Sequence, residues 1–217
     1  MKRRYDEKYL RSVKKIRFAG RVFYIFDDVY EPAEDTFLIA KHLKVDDLVL
    51  DMGTGCGILS VLAAFKAERV IAIDINPYAA RCAKINAEVN GVSEKIDVLI
   101  GDLFNPVGEN SIFNMILFNA PYLPDEKRKE SKSLIDYAWS GGKDGREVVD
   151  RFIQQAPKHL KPYGRILLVQ STLSDMKKTI REFRKQGLQA RIIDEEKTFF
   201  ETIVLIEALK IRKTWKD

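Results

Sequence analysis

The sequence predicts an α/β fold: a mostly parallel seven-stranded sheet, helices on both faces, and a C-terminal antiparallel hairpin. Three observations carry this. From residue 48 onward short apolar runs alternate with helical stretches, the mark of a parallel sheet covered on both sides. A glycine-rich turn, DMGTGCG (51–57), joins the first of these runs to its helix. At the far end, ARIID (190–194) and FFETIVLIEAL (199–209) are separated only by EEK and Thr198, too little chain for a parallel crossover.

The elements follow in order. KIRFAGRVFYIF (15–26) reads as a hairpin turning at Ala19-Gly20, with β-branched and aromatic residues on either side. EPAEDTFLIAKHL (31–43) reads as a helix, with Pro32 at its start, acids in its first turn and Phe37, Leu38 and Leu43 behind. In the body, LVLDM (48–52) is a strand, ILSVLAAFK (58–66) a helix and RVIAIDI (69–75) a strand. A helix over 77–90, a strand over 96–100 and the strand FNMILFN (113–119) come next. GREVVDRFIQQAPKHL (145–160) is helical, with Pro157 bending its end. GRILLVQ (164–170), a helix over 174–186 and the two final strands complete the set.

Composition bounds the function. The chain has 217 residues, enough to bury roughly 70% of its unfolded surface without a disulfide or metal staple. There is no internal repeat and no Pro- or Ser-rich linker. We divide the chain into a basic leader with the hairpin (1–26) and one domain (27–217). Cys56 and Cys82 form no CxxC pair and point to a reduced, cytoplasmic setting. No apolar run approaches the ~18 residues of a membrane span, and the basic N-terminus lacks the apolar stretch of a signal peptide. His42 and His159 are the only histidines, which argues against a His-built metal site or triad. The net charge of +5 is concentrated at one end: residues 1–17 carry a surplus of +6, and the other 200 residues balance at −1. That leader raises the question of an RNA partner.

DMGTGCG holds three of the twelve glycines. At a strand-to-helix turn, glycine permits positive φ and lets a ligand approach the backbone. A turn that merely packs helix on strand is the plainer alternative, but it rarely needs Gly53, Gly55 and Gly57 together. A nicotinamide fingerprint would need glycine or alanine where Ile58 stands, and the loop lacks the G-K-[ST] of a phosphate loop. Asp51, just before the glycines, repels a pyrophosphate and suits a ligand with an ammonium group and no phosphate. S-adenosylmethionine (SAM) is such a ligand. Asp74 ends the next strand, 19 residues beyond Gly55. It suits the two ribose hydroxyls, or an N-cap for the helix at Pro77, and the roles are compatible. Asp102-Leu103, after the third strand of the body, fits a carboxylate at the adenine amino group beside an apolar contact on the ring. Sheets of this kind bind ligands at these strand ends.

NAPY (119–122) follows the fourth strand at the same edge. Asn119 Oδ1 and the Ala120 carbonyl can each accept one N–H of a planar NH₂ group. Two acceptors would hold that nitrogen in line with a methyl donor and stabilise the positive charge developing on it. Pro121 biases residue 120 towards an extended backbone, and Tyr122 offers a π-face to the planar group. No general base is needed before the nitrogen takes a methyl group from a sulfonium, which is already a strong electrophile.

NAPY resembles the Asn/Asp-Pro-Pro-aromatic motif of the amino-methyltransferases, with Ala120 where proline is usual. VYEPAEDTF (29–37) and WSGGKDGREVVDRF (139–152) resemble the HemK-type glutamine-N5 methyltransferases, in the branch that acts on eukaryotic and archaeal release factors. The resemblance implies a class I, Rossmann-like methyltransferase fold and SAM as cofactor. It implies that Thr36 touches the cofactor beside Asp51, Gly53, Gly55, Asp74, Asp102, Leu103 and Asn119. It also implies a target glutamine in a Gly-Gly-Gln motif of a peptide-release factor. A small zinc-ribbon activator covers an apolar sheet edge in relatives, and Ile96, Val98 and Ile100 are the candidate edge here. Two other readings share these residues: an adenine-N6 methyltransferase acting on RNA, and a non-catalytic SAM-binding scaffold. DEKRKESK (125–132) reads as a solvated loop able to close over substrate, and Trp139 with Gly141, Gly142 and Gly145 as part of that wall.

Overall fold

Successive residues of a strand face opposite sides, and the strands here bury apolar residues on both. The computed structural model describes residues 13–44, 47–109, 113–125 and 133–211. Lys2, Arg3, Arg4, Lys8 and Arg11 of the leader, and residues 126–132 of the charged loop, lie outside the described residues. β1 (Lys14–Phe18) and β2 (Arg21–Ile25) form the expected hairpin, a separate antiparallel pair turning at Ala19 and Gly20. Helix α1 (Glu34–Lys41) leads into the main sheet. There, β3 (Leu48–Met52), α2 (Ile58–Ala64), β4 (Arg69–Asp74), α3 (Pro77–Val89), β5 (Ile96–Ile100) and β6 (Phe113–Asn119) alternate. Helix α4 (Glu147–Gln155), β7 (Leu160–Ser171), α5 (Met176–Lys185), β8 (Gln189–Lys197) and β9 (Thr202–Leu209) complete it.

The seven strands are ordered β5-β4-β3-β6-β7-β9-β8. β3 to β7 run parallel, and β9 is antiparallel to both β7 and β8. The final hairpin is therefore antiparallel as expected, with β9 inserted inside β8.

Two apolar clusters form, one on each face. Val49, Met115, Leu117, Leu167 and Val169 join Leu38 and Ile39 of α1, Val61 of α2 and Ile85 of α3. Their strand neighbours Leu50, Ile116, Phe118, Ile166 and Leu168 join Val149, Phe152 and Ile153 of α4 and Phe183 of α5. Phe23 and Ile25 carry the β1–β2 hairpin into the first cluster. Asn86, fully buried on α3, fastens it: its side chain accepts from Tyr24 N and donates to Tyr24 O and Cys56 O, each at 2.8 Å. One amide thus ties the hairpin to the glycine turn.

Several boundaries differ from expectation. Helix 145–160 gives way after Gln155 to a tighter 3₁₀ turn over Ala156–His159, with Pro157 in its first turn. β7 begins at Leu160 rather than 164, because Leu160 already pairs with Phe113 of β6 ahead of a register shift. β8 runs on to Lys197 through an irregularity between Ile192 and Asp194. β9 starts at Thr202, not 199, because Thr198 and Glu201 close a turn through Thr198 N to Glu201 O at 2.9 Å. Phe199 and Phe200 stand in that turn, 92% and 87% exposed.

Candidate active site

The chain builds β3, β4 and β5 outward in one direction, then returns to lay β6 on the other side of β3. A crevice opens where the order reverses, outside the C-terminal ends of the parallel strands. Here it is a cavity of about 350 Å³, in the range of small-molecule sites. Thr36, Gly53, Gly55, Asp74, Asp102, Leu103, Asn119 and Pro121 line it. Asp51, Ala120 and Tyr122, also expected at the site, are not on its wall.

The glycine turn has the conformation the sequence asked for: Gly53, Gly55 and Gly57 all have positive φ, at 64°, 57° and 82°. A Cβ on Gly53 would lie 3.3 Å from the Phe118 ring, so the turn is drawn close to the end of β6. At Gly57 an added Cβ would meet Ala83 of α3 at 2.8 Å. Gly57 therefore serves helix packing, while the space beside Gly55 is open and borders the cavity.

Asp74 holds this turn in place. Its Oδ2 accepts from Gly55 N at 2.8 Å and its Oδ1 from Asn76 N at 2.9 Å. It does not cap α3; Asn76 does, accepting from Tyr78 N at 2.9 Å. A carboxylate has about four lone-pair sites, so these two bonds leave Asp74 able to accept from a diol at the cavity. Burial pushes its carboxyl above the usual range, against the pull of the bonded backbone N–H groups.

Asp51 is 1% exposed, and its Oδ2 accepts from Thr54 Oγ1 at 2.7 Å and Ser60 Oγ at 2.6 Å. The expected direct contact with a ligand ammonium is thus not what the geometry offers, because the hydroxyls and the packed strand end enclose the carboxylate. Burial pushes its carboxyl up to about 6, against the hydrogen bonds from Ser60 and Thr54; the Asp74 charge adds a smaller push. The Asp74 charge thus disfavours the ionised form of Asp51, a tension that a cation nearby relieves.

Asn119 is oriented by a chain of hydrogen bonds. Its Nδ2 donates to Thr36 Oγ1 at 3.1 Å. The Thr36 hydroxyl lies 3.2 Å from Asp35 Oδ1, to which it donates, since an ionised carboxylate only accepts. Asn119 Oδ1 is buried and finds no hydrogen-bond partner among the described residues. Thr36 was expected at the cofactor; it lines the cavity and also holds Asn119.

Tyr122 departs from expectation. It is 9% exposed and packs in the cluster that holds α1 to α3, so its ring face is not presented to the cavity. Burial first, and then the Asp35 charge, hold its phenol above the usual range. Ala120 is likewise buried, in the opposite cluster. Trp139 and Gly141, Gly142 and Gly145 do not line the cavity either. They brace NAPY from behind: Leu123 N donates to Trp139 O and Gly141 N to Leu123 O, both at 2.9 Å. A Cβ at Gly145 would lie 2.2 Å from Tyr122 O, and one at Gly141 would lie 2.7 Å from Pro121 O. These glycines exist for backbone approach.

Asp102, expected free for an adenine amino group, is paired with Arg151 of α4. Both line the cavity. Leu103 has φ of 48°, a left-handed conformation rare for a branched side chain. Sequence reasoning did not single out Tyr30, Tyr137, Glu147 or Arg151 as wall residues. Glu147 and Arg151 lie inside GREVVDRF one helical turn apart, the one local signal that both face one way. Neither histidine lines the cavity: His42 pairs with Asp194, and His159 stacks on Phe104. No group of metal-ligating side chains occurs among the described residues.

The Asp51 geometry gives a stability test. A carboxyl raised from 3.8 to about 6 stabilises the fold only while protonated, and this contribution is lost as pH rises through about 6. Asp51→Asn keeps an acceptor for Thr54 and Ser60 without the buried charge. It should unfold in denaturant about 2–3 kcal/mol later than the ligand-free parent at pH 8, with the difference vanishing below about pH 4.

Comparison with known proteins gives the family. The methyltransferase small domain model matches residues 33–199. A Methanocaldococcus jannaschii protein, provisionally named a protein N5-glutamine methyltransferase, is 40% identical over 200 residues, covering 90% of this chain and 99% of its own. Mouse methyltransferase HEMK2 is 35% identical over 177 residues, covering 76% and 81%. Bacterial proteins named release factor glutamine methyltransferase match at 30–32% identity. Among solved structures, the E. cuniculi Mtq2–Trm112 complex, described as responsible for methylating the termination factor eRF1, superposes with a TM-score of 0.62. It has 24% identity and covers 84% of this chain and 99% of that one. No helix among the described residues is long and apolar enough to cross a membrane. With the family model across most of its length and a relative at 40% identity over nearly all of it, the chain belongs to the methyltransferase small-domain family, as an enzyme of the HemK-type protein N5-glutamine methyltransferases.

Proposed function

We propose that this protein uses SAM to methylate the side-chain amide nitrogen of the glutamine in a Gly-Gly-Gln motif of a peptide-release factor. The observation that carries the reading is Asn119 Oδ1, a buried acceptor without a protein partner at the edge of the cavity. An unsatisfied buried acceptor costs about 1–3 kcal/mol, and an incoming N–H removes that cost.

The cavity fits SAM on its own features. The Gly55 side of the turn is open, Asp74 has acceptor capacity for a diol, and Leu103 and Ile75 give an apolar wall. Asp51 and Asp74 make the site favour a cation. When bound, SAM supplies an electrophilic methyl group on a sulfonium. The chain's own residues do the rest. Asn119 Oδ1 and the Ala120 carbonyl each accept one N–H of the target amide. That holds its lone pair towards the cofactor side, favours a pyramidal nitrogen and stabilises the charge that develops there. Tyr122 supports this from behind the wall.

Substrate class follows from names and surface together. The relatives above are named for glutamine-N5 or release-factor methylation, and the E. cuniculi complex acts on eRF1. Around the exposed Phe199 and Phe200, on the same sheet edge as NAPY, stand Glu195, Glu196 and Glu201 against Lys197. Such a tip suits a protein surface better than a phosphate backbone. We also propose that a small zinc-ribbon activator covers the β5 edge. Of the three candidate residues Ile96 is buried and Val98 partly buried in the core, which leaves Ile100, 60% exposed, as the apolar residue offered there; among the described residues β5 pairs with β4 alone.

Three outcomes test this. Asp74→Ala should weaken SAM binding at least about tenfold in calorimetry, because the ribose acceptor and the Gly55 anchor are both lost. Asn119→Ala should cut kcat by about 10² to 10³ with the fold intact, the range for losing one transition-state hydrogen bond; activity within a few fold of the parent removes the two-acceptor reading. Incubated with SAM and a release factor, with the activator co-expressed, the protein should add one methyl to the Gly-Gly-Gln glutamine, read by tandem mass spectrometry. Methylation of RNA adenine with an untouched release factor would establish the competing enzyme.

A further inference from the structure

We propose that Asp35 is a positioning residue for methyl transfer, which acts through the Thr36 hydroxyl to keep Asn119 Oδ1 turned towards the acceptor nitrogen. The proposal rests on the reading above, in which Asn119 Oδ1 receives an N–H of the target.

An asparagine amide can rotate by half a turn with little change in shape. In one orientation Asn119 presents an oxygen to the target and in the other an NH₂ group. The second is unproductive, because donor would face donor. Something must choose, and in this site it is a directed chain of hydrogen bonds. The Asp35 carboxylate can only accept. Oδ1 takes Thr36 N at 2.5 Å and the Thr36 hydroxyl at 3.2 Å, and Oδ2 takes the Tyr30 hydroxyl at 2.8 Å. With its proton committed to Asp35, the Thr36 oxygen shows lone pairs to Asn119. Only Nδ2 can approach those lone pairs, and it does so at 3.1 Å. Oδ1 is then left facing away from Thr36, unpaired.

Asp35 is buried yet does not line the cavity, so it touches neither ligand. Its other partners hold it. Tyr30 is a cavity residue whose phenol stays protonated, through burial and then through the Asp35 charge itself. Tyr122 of NAPY feels the same charge. EPAEDTF thus reaches the end of β6, 83 residues away, and sets the polarity of its last residue, Asn119. This explains why an acid and a hydroxyl stand side by side in α1 at positions facing the core.

The test compares variants that keep or lose the direction of the chain. Thr36→Ser keeps the hydroxyl and should hold kcat within about fivefold of the parent. Thr36→Val keeps the shape without it and should lose about 10²-fold, the scale of a misplaced catalytic group. Asp35→Asn still offers an acceptor oxygen and should fall between the parent and Asp35→Ala, which should lose about as much as Thr36→Val. SAM affinity of the Asp35 variants, measured by calorimetry, should change less than about threefold, placing the loss in kcat and not in cofactor binding. Equal kcat for Thr36→Val and Thr36→Ser, or for Asp35→Ala and Asp35→Asn, would overturn the proposal. If Thr36→Val does not fold, Thr36→Ala, which only removes atoms, is read in its place. Asn119→Ala separates the two readings. A slow Asn119→Ala beside a normal Thr36→Val sinks the positioning role alone, whereas normal activity in both sinks the two-acceptor mechanism beneath it.

Discussion

Everything at the site depends on β3 and β6 lying side by side in parallel register. Val49 to Met52 pair with Met115 to Phe118, so the two strands end together. Their continuations, the glycine turn and NAPY, are forced to emerge next to one another. Because the connections to their other neighbours run in opposite directions across the sheet, nothing fills the space between those continuations. The cavity is a consequence of strand order. Side chains then decide what it binds, and Gly53, with no Cβ to meet the Phe118 ring, lets the turn lie close against the end of β6.

Electrostatics at this edge is arranged at a cost to the fold. Asp51, Asp74 and Asp35 are all buried, and burial raises the carboxyls of the first two. A buried acid is tolerated where hydrogen bonds compensate it, and each has them. The three are placed differently. Asp74 anchors the turn while facing the cavity, Asp51 lies behind it accepting from Thr54 and Ser60, and Asp35 accepts from the Thr36 hydroxyl that holds Asn119. Sites that hold desolvated charge trade stability for function in this way.

The acceptor side shows how a departure from a family motif is absorbed. Ala120 lacks the stiffness of the usual proline, yet the segment from Trp139 to Gly142 runs beside Leu123 to Asp125 and is bonded to it at both ends. Pro121 O and Tyr122 O are approached so closely by Gly141 and Gly145 that no side chain fits between. Backbone packing supplies the restraint that a proline at position 120 would have given. Arg146, buried at the head of α4, extends the brace by donating to Ser174 O, Asp175 O and Thr179 Oγ1.

What could be read from the sequence was whatever depends on neighbours along the chain. Strand and helix order, the positive-φ glycines, the acid at the end of β4 and the tetrapeptide at the end of β6 are local patterns, and local backbone sterics dictate them. The resemblance to HemK-type enzymes was legible for the same reason, in three short stretches. Contacts between elements were not. Asp102 met Arg151 instead of standing free, Tyr122 turned into the core, and Thr36 turned out to hold Asn119 across 83 residues. Local pattern is enough to bring glycine, carboxylate and amide to one edge of one sheet. Which of them face the cavity and which support it from behind is set by packing between residues far apart in the chain, and no local pattern encodes that.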